Sequence, residues 1–184
     1  MKKLQLLSLC LCLIGLTGCA TPKIALEYRP QTTMEIDGNA SVGNFGYFPK
    51  AGVDQRQIPN TAVGGGIMLT EPVGEFFANA VKQEFRKAGI SLKPGGCRLE
   101  GEILELLVDD LGFSVDYKSD VRYILYDKTN SLLLDNRYHT NLDKMTKFVV
   151  PEVLLQNINK MLSENIKQLF QDTTFIDSMK NSCT

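Results

Sequence analysis

Residues 113–125 alternate between apolar and polar side chains, and this pattern constrains the fold of the chain more than any other. The apolar side chains are Phe113, Val115, Tyr117, Val121, Tyr123 and Leu125. Because successive side chains of a strand point to opposite faces, the alternation predicts an antiparallel strand that is half buried. Residues 127–131 supply turn-forming side chains, so a hairpin should lead into a return strand over residues 132–141.

Two amphipathic helices are predicted on either side of this β segment. Apolar residues recur at three- and four-residue spacing over 73–88, with Thr70 as a candidate cap and Gly89 as the stop. A second apolar stripe covers residues 151–170, and Asp172 should cap a short last helix. Such stripes normally face a hydrophobic core, and we interpret both in that way.

The order of these elements predicts an α+β fold, with an antiparallel sheet and two amphipathic helices packed on one face. Residues 98–108 add another strand, and residues 32–48 add one or two short ones. Residues 49–69 are rich in Gly and Pro and predict a long flexible loop. One domain over residues 31–184 accounts for all these elements.

The start of the chain predicts an exported protein. Lys2 and Lys3 precede an apolar run over residues 4–16, which is shorter than the roughly 20 residues that a spanning helix needs. The run ends in Leu16-Thr17-Gly18-Cys19, which matches the lipobox of bacterial lipoproteins. We therefore expect a signal peptide over residues 1–18, cleavage between Gly18 and Cys19, and acylation of Cys19. The alternative is an ordinary signal peptide with a chance cysteine.

Acylation of Cys19 predicts a protein that is tethered to a membrane through its acyl chains and does not span it. Residues 19–30 would form the acylated N-terminus and a short tether. Ala20 follows the cysteine in place of the Asp that commonly retains lipoproteins in the inner membrane. We therefore expect the outer membrane, with the domain facing the periplasm, rather than the inner membrane.

Charge and cysteine content bear on whether the exported part binds nucleic acid and whether it contains a disulfide. Losing residues 1–18 removes two Lys and no acid, so the net charge changes from −1 to −3. A basic surface that would bind nucleic acid is therefore not expected. Cys97 and Cys183 remain as thiols after processing, and in an oxidising compartment they are candidates for one disulfide. The alternative is two unpaired thiols.

The sequence contains few clusters of the side chains that catalysis or metal binding requires. His139 is the only histidine, and a lone histidine on a strand is usually structural or exposed. Asp109, Asp110, Asp116 and Asp120 could act as acids or bind Ca²⁺, but the Asp-x-Asp-x-Asp-Gly pattern is missing and a solvated strand end is favoured. We predict no catalytic, metal-binding or cofactor-binding residue and no enzymatic activity.

Two Gly-rich segments remain open to interpretation. The Gly triplet at 64–66 lacks the Gly-Lys-Ser/Thr of a phosphate-binding loop, so a mobile loop is favoured over a phosphate site. Phe45, Tyr47 and Phe48 are apolar residues in a Gly-rich segment. They either fold back onto the core or form a contact patch on a loop.

Residues 70–181 resemble the YajG family of small bacterial lipoproteins. The resemblance covers a helix that ends in Gly before an extended segment, an acidic β segment over 99–109 and the hairpin over 123–138. Its most specific part is the ending, with Leu162-Ser163-Glu164, Gln171-Asp172-Thr173-Thr174-Phe175 and Lys180-Asn181. The resemblance implies a membrane-anchored, periplasm-facing domain whose activity is not established.

The order of elements after the lipobox is also similar to the auxiliary lipoproteins of envelope transporters, which include the lipopolysaccharide-assembly lipoprotein and those of ABC-type lipid transporters. The leading hypothesis is a non-enzymatic envelope lipoprotein that binds a protein or lipid through its sheet or the 45–69 loop. The alternative is a lipid-handling accessory of a transporter, which would need a lipid-sized apolar cavity between sheet and helices. A hydrolase would require Asp116 or Asp120 to converge with His139.

Overall fold

The predicted hairpin forms one edge of a mixed five-stranded sheet in the computed structural model, which describes residues 23–62, 66–147 and 151–184. In chain order the elements are β1 (Lys23–Ile24), β2 (Asn39–Tyr47), β3 (Gln57–Ile58), β4 (Ile67–Leu69), α1 (Val73–Lys87), β5 (Ser91–Leu92), β6 (Cys97–Asp109), β7 (Ser114–Tyr126), β8 (Leu132–Thr146), α2 (Pro151–Gln171) and α3 (Thr173–Asn181). The α+β class is confirmed.

The strands of the main sheet are arranged in the order β5-β2-β6-β7-β8. β6, β7 and β8 are antiparallel neighbours, as the alternating pattern predicts, whereas β2 pairs in parallel with both β5 and β6. A second sheet has the order β1-β4-β3. The prediction of a long flexible loop over residues 49–69 is therefore wrong for β3 and β4, which are too short to show a periodicity and form only by pairing.

The helices cover one face of the main sheet, and aromatic rings fill the space between the two layers. The Phe45 ring lies 5.3 Å from the Phe77 ring of α1 and 5.8 Å from the Tyr123 ring of β7, measured between centroids. The Phe85 and Phe170 rings, from α1 and α2, are 5.7 Å apart. This packing forms one contiguous hydrophobic core.

Residues 23–30, which the sequence places in a tether, belong to the packed domain. Leu26 and Tyr28 are buried in the same core as the helices. β1 pairs in parallel with β4, with Lys23 opposite Met68. The sequence gives little sign of this, because two strand residues are too few for a pattern and their partners lie more than forty positions away.

Two details at the ends of elements differ from the prediction. Thr70 does not cap α1, since Pro72 occupies the cap position and no side chain accepts a hydrogen bond there. Phe113 lies outside the core and is fully exposed, at 103% of its reference area. β7 begins one residue later, after a turn in which Gly112 has a φ of +95°. The alternating pattern therefore extends one residue beyond the strand.

Asp172 caps α3 as predicted. One carboxylate oxygen accepts hydrogen bonds from the backbone N–H groups of Thr174 (2.7 Å) and Phe175 (3.2 Å). The other accepts from Asn136 Nδ2 (2.7 Å) and Tyr138 Oη (2.6 Å). Partial burial acts to raise the pKa of Asp172, but these hydrogen bonds outweigh it and hold the pKa below its ordinary value.

Candidate functional site

The segment over residues 23–36, here called the N-terminal arm, is fixed to the domain along its length. Beyond the β1–β4 pairing, the Thr70 N–H donates to the carbonyl of Ile24 at 3.1 Å. Asn159 Nδ2 donates to the carbonyl of Glu27 at 2.9 Å, which ties the arm to α2. The N–H of Ile36 donates to the carbonyl of Ala88 at 2.8 Å. The arm is therefore part of the rigid body and not a loose leader.

A buried carboxylate on α1 holds the middle of the arm. Glu84 is 1% exposed. Its Oε1 accepts hydrogen bonds from Tyr28 Oη at 2.5 Å and from the Gln31 N–H at 2.8 Å. Its Oε2 accepts from the Thr32 N–H at 2.9 Å. Burying a carboxylate is costly unless hydrogen bonds compensate for lost water, and the arm supplies all three donors.

The Glu84 contact also changes the chemistry of its tyrosine partner. Burial, and then the hydrogen bond to Glu84, raise the pKa of Tyr28 well above its ordinary value. Tyr28 therefore stays a protonated donor at any physiological pH.

Next to this contact, residues 31–34 and α2 enclose an open cleft of about 350 Å³, with Ser163 and Lys167 on its helix side.

Sequence reasoning missed Glu84, although the sequence contains a signal. Glu84 lies seven residues after Phe77 and four after Ala80, so it falls on the apolar stripe of α1. An acid on a buried helix face needs buried partners. Its donors lie more than fifty residues earlier in the chain, so the stripe alone cannot identify them.

The predicted signal peptide (residues 1–18) and the acylation and cleavage residues Gly18 and Cys19 lie outside the described residues, as do Gly64 and Gly65 of the Gly triplet. Within the described ranges, no helix is both long and apolar enough to cross a membrane.

Cys97 and Cys183 are joined by a disulfide, with their Cα atoms 5.1 Å apart. Cys97 opens β6, and Cys183 lies two residues after the end of α3. Beside the bond, the Asn39 N–H donates to the carbonyl of Cys183 at 2.5 Å. The disulfide therefore fastens the end of the chain to the centre of the main sheet.

Of the three aromatic residues predicted as a contact loop, two belong to the core. Phe45 and Tyr47 lie in β2 and are 2% and 7% exposed. Tyr47 Oη donates to the carbonyl of Gln57 at 2.9 Å, which links β2 to β3. Phe48, directly after β2, is 57% exposed. The contact patch is therefore wrong for Phe45 and Tyr47, because a strand rather than a loop carries them inward.

The structure brings Asp120 and His139 together, but not Asp116. Asp120 and His139 face each other on β7 and β8, with His139 Nδ1 3.9 Å from the Asp120 carboxylate. Arg137 donates to both oxygens of that carboxylate, from Nε at 2.5 Å and from Nη2. Asp116 instead accepts from the Lys144 N–H at 3.0 Å. Asp120 and Arg137 therefore form an ion pair that is joined by two hydrogen bonds.

Asp109 and Asp110 lie at the end of β6 and are bound by lysines. Asp109 accepts from Lys118 Nζ at 2.9 Å and from Thr61 Oγ1 at 3.0 Å, and these contacts, Lys118 first, lower the pKa of Asp109. Lys147 Nζ lies 3.1 Å from the Asp110 carboxylate. In the part of the chain that the structure describes, no group of three or more His, Cys, Asp or Glu side chains is placed to hold a metal ion.

The face of the main sheet opposite the helices, here called the open face, carries a ladder of ion pairs. Arg122 lies between Glu102, at 3.0 Å, and Asp135, at 2.6 Å. The hydrogen bonds from Arg122 lower the pKa of Asp135. Arg98 pairs with Glu100 at 2.8 Å. Exposed pairs of this kind add little stability. They make the open face charged and polar.

No protein-family model matches the chain, and no curated protein matches it. Solved structures share its fold. A protein from Xanthomonas campestris of family DUF330 superposes with a TM-score of 0.64 and 11% identity, over 86% of this chain and 98% of that chain. An uncharacterised protein superposes with a TM-score of 0.52 and 9% identity, over 80% and 98%. At these identities the likeness shows the fold alone, and the resemblance to YajG stays a prediction.

Proposed function

We propose that this protein is a bacterial lipoprotein of the YajG type, anchored by acyl chains on Cys19 and acting as a non-enzymatic binding or assembly component of the cell envelope. Ala20 supports sorting to the outer membrane, with the domain facing the periplasm. The mature chain would begin four residues before β1.

The fixed N-terminal arm is the observation that carries this proposal. A lipoprotein with a long disordered tether could place its domain far from the membrane. Here, Lys23 is only four positions after Cys19, and a fully extended chain spans about 14 Å over four positions. Because the arm is bound to the domain from Lys23 onward, the acyl chains would hold the folded domain directly at the bilayer surface.

The filled interior favours a binding component over a lipid-handling accessory. Aromatic rings from β2, β7, α1 and α2 occupy the space between sheet and helices, where a lipid-sized cavity would have to lie. We propose that partner contact uses the outer surface, and specifically the open face. Its alternating Arg, Asp and Glu side chains suit a polar envelope partner with complementary charges.

Metabolic labelling with an alkyne fatty acid tests the anchor. Wild-type protein expressed in a diderm bacterium should be labelled and recovered with the outer membrane. Cys19→Ala should be unlabelled and should keep residues 1–18, as mass spectrometry would show. Cys12→Ala is the matched control, because it removes a cysteine of the signal and should leave labelling intact. Label on Cys19→Ala would contradict the assignment.

Site-specific photo-crosslinking in intact envelopes tests the binding role. A crosslinker at Arg137, on the open face, should capture a defined partner, whereas one at the exposed Lys160 of α2 should not. Equal capture at both positions would contradict the open face as the contact surface. Turnover of a cell-wall or lipid substrate by the purified protein would contradict a non-enzymatic role.

A further inference from the structure

Two large apolar side chains are exposed on the turn between β6 and β7, here called the tip (residues 110–113). Leu111 is 69% exposed, and Phe113 is fully exposed. Within the described residues, neither belongs to the hydrophobic core or packs against it. An exposed apolar pair on one turn is a candidate contact surface for something outside the domain.

Strand directions place the tip at the end of the molecule where the N-terminal arm begins. β1 runs parallel to β4, and β3 runs antiparallel to β4. Residues just after β3 pair in parallel with the end of β6, Asn60 with Val108. β6 therefore runs antiparallel to β1 as it approaches the tip, and the tip points to the same side as the start of β1. Cys19 precedes that start by only four residues.

Polar groups of the tip already have hydrogen-bond partners within the protein. Lys147 Nζ donates to the carbonyls of Asp110, at 3.1 Å, and Gly112, at 3.0 Å, so that two polar backbone groups of the turn are satisfied internally. The neighbouring carboxylates of Asp109 and Asp110 are paired with Lys118 and Lys147. Internal partners of this kind lower the cost of moving the turn out of water.

We propose that Leu111 and Phe113 insert into the interfacial region of the same bilayer that holds the acyl chains of Cys19. The inference rests on the proposed lipid anchor and deepens it. With two contact points, acyl chains and tip, the domain would be held in one orientation, with the long axis of β7 rising from the membrane. The turn at 127–131 would then face away from the bilayer, about 40 Å from the tip.

Tryptophan fluorescence tests the insertion of the tip into the bilayer. The chain contains no Trp, so an introduced Trp is the only tryptophan that emits. Phe113→Trp places a single fluorophore on the tip, at a position that is fully exposed among the residues the structure describes. Leu132→Trp is the matched control. Leu132 is an exposed apolar residue, at 56%, at the opposite end of β7 and β8. Both variants would be purified as acylated mature proteins and reconstituted into vesicles of phospholipids with and without bromine on the lipid acyl chains.

Phe113→Trp should emit at shorter wavelength in vesicles than Leu132→Trp, and only its emission should fall when the lipids carry bromine. Equal quenching of both variants, or none at Phe113→Trp while the acylated protein is bound to vesicles, would overturn the tip placement and leave the lipid anchor intact. A chain that mass spectrometry shows to be unacylated would overturn both proposals.

Discussion

Replacing Glu84 by Gln should loosen the N-terminal arm without changing the shape of α1. The carboxylate accepts three hydrogen bonds, two on Oε1 and one on Oε2. A Gln side chain has the same size but only one acceptor oxygen. If that oxygen takes the place of Oε1, the new NH₂ group faces the N–H of Thr32. In the other orientation it faces Tyr28 and Gln31, so at least one donor loses its acceptor.

The size of the effect follows from this count. A hydrogen bond to a charged group contributes about 1.5–3 kcal/mol, and a neutral one about 1 kcal/mol. Losing one charged acceptor and weakening the other two bonds removes at least about 2.5 kcal/mol. A neutral amide costs less to bury than a carboxylate, which offsets part of the larger values, so the free energy of unfolding should fall by about 2–3 kcal/mol. Part of this loss should appear as local release of the arm, because the donors all belong to it.

Urea unfolding followed by circular dichroism measures the effect. Glu75→Gln is the matched control, since Glu75 is an exposed acid in the first turn of the same helix. It should change the free energy of unfolding by less than about 0.5 kcal/mol. If Glu84→Gln is no less stable than Glu75→Gln, the three contacts do not hold the arm and the reasoning is refuted.

Two further predictions concern the other end of the chain. Reducing the Cys97–Cys183 disulfide, which closes a loop with a sequence separation of 86, should lower the free energy of unfolding by about 4–5 kcal/mol. Urea unfolding with and without reductant measures this, and a loss below about 1 kcal/mol would contradict it. Because the folded pKa of Asp172 lies below its unfolded value, its contribution to stability is present above about pH 4 and lost as the pH falls through the folded pKa. Asp172→Asn keeps a side-chain cap and should show a weaker acid dependence of stability; an unchanged dependence would count against the assignment.

Local patterns in the sequence were sufficient for the elements that are long and regular. The alternation over residues 115–125 predicts β7, and the apolar stripes predict α1 and α2, because each pattern spans several periods. Asp172 is recognisable as a cap because capping depends on residues two and three positions away. The fold class follows from the order of these elements.

Features that depend on distant contacts were not predictable in this way. β1, β3 and β4 have two or three residues each and exist only through pairing. Phe113 continues the alternation but precedes the strand, which begins after the turn that Gly112 makes. Phe45 lies in a Gly-rich segment, but its ring packs where Gly101 leaves room on β6, since a Cβ at Gly101 would lie 2.2 Å from it. The candidate site was not predictable either, because it depends on contacts between Glu84 and the N-terminal arm, which lies more than fifty residues earlier.

The central claim is that the N-terminal arm is a fixed part of the domain, so that an anchor at Cys19 holds the domain against a membrane. Amide hydrogen exchange over residues 24–36, followed by mass spectrometry on the acylated full chain, tests it most directly. The amides of Gln31, Thr32 and Ile36 are hydrogen-bonded within the fold and should be protected to the same order as those of α1. Exchange of these amides at the rate of an unstructured chain would contradict the account.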